Sequence, residues 1–438
     1  MRHCIASLLA VVVVTTSVRA QAAETADTPT QQVTVERQSV GKTIPEELTL
    51  EQALEILWQQ SPLLLAERQR EAAAAGELEQ AGKYPNPFFT LETESFATVR
   101  GASGEQELFL TLEQPILTAG KRGKRIDVAG ALLRAARNDV RAFERALSFQ
   151  LKTVYAAIVL AQSDLDLANQ ILADFDQVIR LSRIRYEGGE MSGGELRRVE
   201  TERLRFLEQQ VSAEIGLENA RAELLGLLGM PDYAGSFRVV APSRYDGELL
   251  DMEALATEAA QSRPELRAQL ERRDAARREV DLQRAFAVPD VVPFVAYQQR
   301  RDTVLDVQTS FVNFGVGVGV PFFDRNQGGV SRARAELRRE EELERAVRYQ
   351  VTVEVRQARQ AYLSERRRVT FFEDTYIQTS RQARDIVEAA YRMGGETLIN
   401  FLDASRVYSE TLQAYNRALF DLSVARFGLE LALGRELS

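Results

Sequence analysis

Apolar residues recur every three or four positions along the chain from Leu133 to Ile179. The steps alternate between three and four residues, with one insertion of two consecutive steps of four, which is typical of a coiled-coil seam with a single stutter. A helix of about 65 residues at 1.5 Å per residue would be roughly 100 Å long, well beyond an ordinary globular helix. The pattern therefore predicts a long helix that needs neighbouring helices along its whole length.

The helical pattern breaks twice, and each break contains a pair of glycines. The first break runs from Arg185 to Leu196, and the second, from Tyr391 to Ala404, comes about 205 residues later. A returning helical pattern comes after each break. We therefore predict two helical hairpins, with tips near 187–195 and 391–397. The predicted turn residues, which need positive φ, are Gly188, Gly189, Gly394 and Gly395.

Two other segments have a period of two residues. A helical pattern from Leu48 to Lys83 ends at Tyr84-Pro-Asn-Pro87, and apolar and polar residues then alternate over about 87–115 and again over about 291–320. Each segment predicts a hairpin of strands about ten residues long, the length that a tilted strand needs to cross a bilayer. The polar face of the first hairpin is acidic. Gly315, Gly317 and Gly319 share one face of the last strand, which favours close strand packing or a smooth lumen over a dinucleotide-binding loop.

Helix, strand hairpin and long helical hairpin occur twice in the same order, which predicts an internal duplication. Arg2, the apolar run after it and Ala20-Gln-Ala22 are typical of a secretory signal peptide with its cleavage site. The predicted segments are a signal peptide (1–22), a polar tail (23–47), repeat 1 (48–231), a linker (232–250) and repeat 2 (251–438).

Composition removes several classes of chemistry. The only histidine and cysteine, His3 and Cys4, lie in the predicted signal peptide, so the mature chain should lack disulfides, Cys or His nucleophiles and the usual zinc or copper sites. A net charge of −9 argues against nucleic acid as a partner. The carboxylates lie in no recognisable pocket-forming context, so we predict no enzyme, no cofactor and no metal site. The basic motif Lys121–Arg125 is expected to face lipid headgroups or to begin a helix.

The predicted strands require other protomers. Four strands cannot close a barrel, and open sheet edges in lipid would leave backbone groups without hydrogen bonds. Three copies would supply twelve strands, a number in the even range of outer-membrane barrels. The predicted fold class is therefore mainly α with a membrane β-barrel part: a long coiled-coil barrel plus four strands per protomer.

These features resemble the TolC-like outer-membrane factor family of tripartite efflux systems. The resemblance rests on the duplicated order, Tyr84-Pro-Asn-Pro87, the strand-ending Pro115 and Pro321, and Tyr391…Gly394…Leu402-Asp-Ala404. Within the family the chain is most similar to the CzcC-like heavy-metal efflux branch. The resemblance implies a homotrimeric tube, with a 12-stranded barrel in outer-membrane lipid and a helical barrel through the periplasm of a Gram-negative bacterium. Its inner end would contact a periplasmic adapter, and through it an inner-membrane pump of the RND type.

The resemblance also implies roles for residues at the tips. Asp403 matches an aspartate of an acidic ring that narrows the pore, and Asn400 stands where family members can carry a second acid. Tyr391 matches a tyrosine that latches neighbouring helices, with Glu195 as its acidic partner. Glu396 occupies the place of a basic latching residue and would face Glu195 with like charge. The four tip glycines would contact the adapter. The alternative for Asp403 is a solvated carboxylate favoured by the helix dipole.

The function that we predict is a passive export conduit, whose cargo includes heavy-metal cations if the branch resemblance holds. Type I secretion and export of drugs or other organic solutes remain alternative uses of such a conduit. A non-transport periplasmic adapter is a further alternative, but it would have one coiled-coil hairpin and a β-rich domain instead of two equal repeats. A purely structural coiled coil would lack the paired strand hairpins.

Overall fold

The computed structural model describes residues 44–94, 105–242, 251–302 and 305–437. The predicted signal peptide, most of the predicted tail and the end of the predicted linker lie outside these residues. The helices are α1 (Leu50–Gln60), α2 (Pro62–Ala81), α3 (Lys121–Glu187), α4 (Gly193–Leu228), α5 (Met252–Ser262), α6 (Pro264–Ala285), α7 (Gln327–Phe371), α8 (Ile377–Arg392) and α9 (Leu398–Leu433). The strands are β1 (Glu47–Leu48), β2 (Phe88–Glu94), β3 (Glu105–Glu113), β4 (Arg238–Val239), β5 (Val291–Asp302) and β6 (Val307–Val318).

Helix α3 has 67 residues and confirms the predicted long helix. Towards its N-terminus it packs on α2 and α6, with ion pairs from Arg137 to Glu71 and from Arg134 to Glu271. Towards its C-terminus it packs on α4 and α9. One helix therefore joins the strand end of the protomer to the tip.

Two other segments that were predicted to be helical are interrupted. The pattern from Leu48 to Lys83 forms two helices, α1 and α2, because Pro62 lacks an amide donor and keeps the preceding Ser61 out of helical geometry. The first arm of the second predicted helical hairpin contains a five-residue π-helical segment, Phe372–Tyr376, between α7 and α8. At this segment the hydroxyl of Tyr415 on α9 donates to the Glu373 carboxylate (2.7 Å).

The four long strands form one antiparallel sheet in the order β2-β3-β5-β6. The pairing register places alternate residues of all four strands on a common face. One face is apolar and exposed, with Phe89, Leu91, Leu112, Val295, Val312, Phe314, Val316 and Val318. The opposite face carries acidic residues, including Glu92, Glu94, Glu107 and Glu113. Within the described residues, β2 and β6 are each paired along one edge only.

Close strand packing explains one of the strand glycines. A Cβ atom on Gly315 would lie 2.6 Å from Cζ of Phe294 on the neighbouring strand, so the phenyl ring occupies the space above the glycine. Of the two expectations for this face, the structure therefore supports close packing at Gly315. A Cβ atom on Gly319, by contrast, would have no other atom within 4 Å.

The basic motif at the start of α3 joins the strand hairpins to the helices. Lys121 is buried, and its Nζ lies 2.6 Å from the Val288 carbonyl and 2.7 Å from the Asp290 carboxylate. Arg122 donates to the Gly82 carbonyl (2.6 Å), while its guanidinium lies over a tyrosine ring. The motif therefore begins a helix, which is one of the two roles expected for it. It also fixes the chain where it enters and leaves the sheet.

Separate apolar clusters hold each helical group together. One includes Leu57, Leu151 and Leu228 around α1, α3 and α4, and a second includes Leu255, Val355 and Leu429 around α5, α7 and α9. In the first, the Tyr155 hydroxyl lies 2.7 Å from the carbonyls of both Leu48 and Val240. None of the helices in the described ranges is long and apolar enough to cross a membrane.

Candidate functional site

Two turns of nearly equal geometry form the tip. Gly189 after α3 and Gly394 after α8 have positive φ, at 76° and 78°, as predicted. The same prediction is wrong for Gly188, which ends α3 with φ −76°, and for Gly395, because each turn needs only one left-handed residue. The next helices begin at N-caps whose hydroxyls accept backbone N–H groups, as preferred at helix starts: Ser192 for α4 and Thr397 for α9.

An aromatic core joins the two hairpins behind these turns. Tyr391 is 5% exposed and lies parallel to Phe401, with ring centroids 5.1 Å apart. Phe401 faces Phe175 of α3, which in turn contacts Phe206 of α4 at 4.9 Å between centroids. Among the described residues the buried Tyr391 hydroxyl has no hydrogen-bond partner. An unpaired buried hydroxyl costs free energy, which the packing of the Tyr391 ring must offset.

Arg185 connects the two hairpins at the tip, a contact that the sequence pattern did not predict. It lies in the last turn of α3, and its guanidinium donates to the carbonyls of Tyr391 (3.2 Å) and Arg392 (2.6 Å) at the C-terminus of α8. The same group lies 5.2 Å above the Tyr391 ring. A cation satisfies the last carbonyls of a helix and its negative dipole end. Arg185 therefore ties the tip of the first hairpin to that of the second.

The sequence holds a partial signal for this contact. A basic residue in the last turn of a helix is a common C-terminal feature, and Arg185 has that position in α3. Its carbonyl partners, however, belong to another helix more than 200 residues away. Only the fold brings these groups together.

The carboxylates of Glu195 and Glu396 both accept hydrogen bonds from groups near the start of their own helices. The Glu195 carboxylate accepts from the backbone N–H and the hydroxyl of Ser192, both at 2.9 Å, and these bonds hold its pKa below the usual value. Glu396 accepts from the Asn400 amide (2.8 Å) and the Thr397 N–H (2.9 Å), which lower the pKa of its carboxyl. In the described part of the protomer neither carboxylate bonds to Tyr391. The latch therefore stays a prediction.

Asp403 lies on the exposed side of α9, one turn beyond Asn400. Its carboxylate is 2.5 Å from the guanidinium of Arg406, which also lies 3.8 Å from Glu410. The predicted gate residue is therefore accessible but paired with a cation on its own helix. Its role in a gate stays a prediction. No group of three or more His, Cys, Asp or Glu side chains in the described ranges is arranged to hold a metal ion.

Comparison with known proteins agrees with this architecture. The curated cobalt-zinc-cadmium resistance protein CzcC of Cupriavidus metallidurans is 26% identical over 401 residues, which cover 89% of this chain and 90% of that protein. Among solved structures, CusC aligns with a TM-score of 0.75 at 16% identity, over 88% of this chain and 92% of CusC. VceC from Vibrio cholerae aligns with a TM-score of 0.72 at 18% identity, over 89% and 97% of the two chains.

The sequence profile described as "Outer membrane efflux protein" matches the chain twice, over residues 53–230 and 255–435. The two matched ranges contain the two long helical hairpins and all four strands of the antiparallel sheet. Together they cover far more than half of the sequence. The chain therefore belongs to the outer membrane efflux protein family.

Proposed function

We propose that three copies of this chain assemble into a passive duct that crosses the outer membrane and continues through the periplasm. The observation that carries the proposal is the sheet, which has an exposed apolar face and two edges without partners in the described residues. In lipid, unpaired edges leave backbone groups unsatisfied, so a closed barrel is the stable arrangement. Four strands from each of three protomers would close it, with β6 of one beside β2 of the next.

The chemistry of the two sheet faces supports this arrangement. Phe314 is 85% exposed and lies between Val312 and Val316 on the apolar face, which suits contact with acyl chains. The acidic face would then line the lumen, where Glu107 pairs with Arg300 at 3.3 Å and accepts from Gln298 at 2.9 Å. An apolar exterior with a polar interior is the pattern of outer-membrane barrels.

Exposed apolar stripes on the helices support closure of the helical wall. On α4 the stripe comprises Leu204, Leu207, Val211 and Ile215, and on the α7–α8 arm it includes Tyr349, Val353, Phe371 and Ile386. Stripes of this size mark surfaces that other helices cover. We propose that α4 of one protomer packs on the α7–α8 arm of the next.

We propose further that the tip contacts a periplasmic adapter at Gly188, Gly189, Gly394 and Gly395, and that the adapter connects to an RND-type pump.

Heavy-metal cations are the proposed cargo. The support is the likeness to CzcC, which is named for cobalt, zinc and cadmium resistance. Beyond His3 and Cys4 the chain has no His or Cys to act as a soft metal ligand, so the wall would pass such ions without holding them.

The test uses two neighbouring positions on β6 that face opposite sides of the sheet. Phe314→Lys places a charge on the proposed lipid face, at a cost of about 2–4 kcal/mol per protomer near the bilayer midplane. Asn313→Lys places the same charge on the proposed lumen face. We expect Asn313→Lys to give heat-modifiable trimers in the outer-membrane fraction and Phe314→Lys to lose them. Equal tolerance of both substitutions, or a soluble monomeric wild type, would overturn the proposal.

Cargo is tested separately in cells. Deletion of the chain should lower the tolerated concentration of cobalt, zinc or cadmium, and the wild-type chain should restore it. If tolerance to organic compounds falls and metal tolerance does not, the duct serves drug or solute export instead.

A further inference from the structure

The α7–α8 arm carries an arginine within its exposed apolar stripe. Arg367 lies five helical turns after Tyr349 and about one turn before Phe371, and both separations return to the same face of the helix. All three side chains are exposed. In the described part of the protomer Arg367 forms no ion pair, whereas its neighbour Arg368 pairs with Asp421 at 3.2 Å. The stripe therefore contains a positive charge that the protomer leaves unbalanced.

A cation in an apolar surface limits what can cover that surface. Covering the stripe removes its side chains from water, and a guanidinium that loses water without a counter-charge is strongly destabilising. The Nε of Arg367 donates to the Leu363 carbonyl at 3.3 Å, which satisfies one donor but leaves the charge. The surface that covers the α7–α8 arm must therefore bring a carboxylate to the level of Arg367.

Carboxylates border the exposed apolar stripe of α4. Glu214 and Glu218 lie three residues after Val211 and Ile215, so both are next to the stripe and on the same side of it. Both side chains are exposed. Within the described residues Glu214 forms no ion pair, and Glu218 pairs with Arg221 of its own helix at 2.6 Å. α4 therefore combines an apolar surface with an unbalanced negative charge.

The acidic and basic groups lie at nearly the same distance from the tip. The ends of α3 and α8 are level, because the Arg185 guanidinium at the end of α3 binds the last carbonyls of α8. Glu218 is 25 residues after the first residue of α4, and Arg367 is 25 residues before the last residue of α8. At 1.5 Å per residue each lies about 38 Å from the tip, and Glu214 lies about 32 Å from it.

Within one protomer the two surfaces have different neighbours. Helix α4 packs on α1 and α3, whereas α7 packs on α5, α6 and α9. A second copy of the chain can bring the two surfaces together, with apolar stripe on apolar stripe and carboxylates beside the arginine. The match in charge and in level therefore favours a second copy as the partner of the α7–α8 arm.

We propose that Arg367 forms an ion pair with Glu214 and Glu218 of the next copy in the ring, and that this contact fixes the height at which the copies join. The inference rests on the proposed threefold duct. The contact joins unlike surfaces, α4 of one copy and α7 of the next. Such a head-to-tail interface closes into a ring when the rotation allows it, whereas a two-fold dimer uses the same surface twice.

Charge reversal tests the contact in purified full-length trimers. Trimers in a nonionic detergent are heated at about 0.1 M or about 1 M NaCl, where the Debye length is about 10 Å or about 3 Å, and gels show the temperature of dissociation. Arg367→Glu should lower this temperature by roughly 2–4 °C at the lower salt concentration, because attraction becomes repulsion at three interfaces. At the higher concentration the shift should fall to less than half. Glu214→Arg should act in the same direction.

A combined variant and two controls separate charge from fold. Glu214→Arg together with Arg367→Glu restores opposite charges and should recover most of the lost temperature; a loss equal to the sum of the two single losses would overturn the proposal. Arg367→Lys keeps the charge and should dissociate as the wild type does. Arg205→Glu reverses an exposed arginine that pairs with Glu202 outside the α4 stripe, and it should leave the temperature unchanged.

Cross-linking gives a second readout that needs no charge reversal. The only cysteine of the chain, Cys4, lies in the predicted signal peptide, so introduced cysteines would supply all the thiols of the mature protein. With a short bismaleimide, Glu214→Cys combined with Arg367→Cys should give covalent dimers and trimers, and either variant alone should give none. If the combined variant gives no covalent species, the proposed contact is wrong, whatever the charge variants show.

The proposed duct and the proposed contact fail differently. If the wild type forms no trimer, the duct is wrong. If wild-type trimers form but Arg367→Glu and Glu214→Arg dissociate at the wild-type temperature, the duct stands and the contact is wrong. A different surface, such as that of a periplasmic adapter, would then cover Arg367.

Discussion

Replacement of Arg185 by glutamine should loosen the tip. The substitution removes the donors to the carbonyls of Tyr391 and Arg392 and the cation above the Tyr391 ring. A net value of about 1.5 kcal/mol for each hydrogen bond from a charged donor and about 0.5–1 kcal/mol for the cation–π contact sets the scale. Because Arg185 is half-exposed, we expect a loss of about 2–4 kcal/mol in the contact between the two hairpins.

This loss translates into population. If the contact exists only in the closed tip, the equilibrium between closed and open tips shifts by about 30- to 700-fold, since each 1.4 kcal/mol is a factor of ten. A tip that is open about one time in a thousand would become open for roughly 3% to 40% of the time. Bilayer conductance of purified trimers should then show long open periods that are rare in the wild type.

Two variants control this experiment. Arg183 lies two residues earlier on α3 and contacts Glu200 at 3.4 Å, so Arg183→Gln removes a similar charge without touching α8. Arg185→Lys keeps the charge but loses the forked donor geometry and should give an intermediate result. If Arg185→Gln conducts as the wild type does, the carbonyls of α8 hold the closed tip without this arginine, and the reasoning is refuted.

The remaining predictions concern buried charges in the helical region. Glu430 is 4% exposed and binds Lys152 at 2.7 Å, so Glu430→Gln should cost about 3–5 kcal/mol of unfolding free energy, whereas Glu436→Gln, at an exposed carboxylate on the same lysine, should cost at most about 1 kcal/mol. Chemical denaturation of both variants checks the difference. Burial raises the pKa of the Asp164 carboxyl, which accepts from Asn416. The folded state therefore binds this proton more tightly, and the wild type gains stability from this group as the pH falls. Asp164→Asn should raise the melting temperature at neutral pH, with a gain that shrinks towards about pH 3.9; a constant gain would contradict the cause.

Local periodicity made the architecture predictable. The 3-4 spacing of α3 and the period-two strands are properties of short windows, so a single sequence reveals them. The left-handed turns at Gly189 and Gly394 arise from the same local chemistry. Which glycine of each pair takes positive φ was not readable, because both members are permissive.

Contacts between distant segments could not be predicted from the sequence. The ion pair of Asp403 with Arg406 is a local i,i+3 contact, which the charge pattern alone could have indicated, although the role expected for Asp403 came from a resemblance. Arg185 and Tyr391 are 206 residues apart in sequence and meet only because α3 and α8 both pack on α9. The burial of Tyr391 and the absence of a hydrogen-bond partner for its hydroxyl among the described residues have no signature in the sequence.

The π-helical segment Phe372–Tyr376 makes the two copies of the duplicated unit mechanically unequal. Its widened turn replaces regular α-helical hydrogen bonds over five residues, and the extra residue rotates α8 by about 100° around the helix axis relative to α7. α3 has no such interruption. Bending should therefore concentrate in the α7–α8 arm, while α3 stays rigid. In a ring of such protomers, rigid and bendable helices would alternate, so the tip end of the ring would widen by movement of the α7–α8 arms alone.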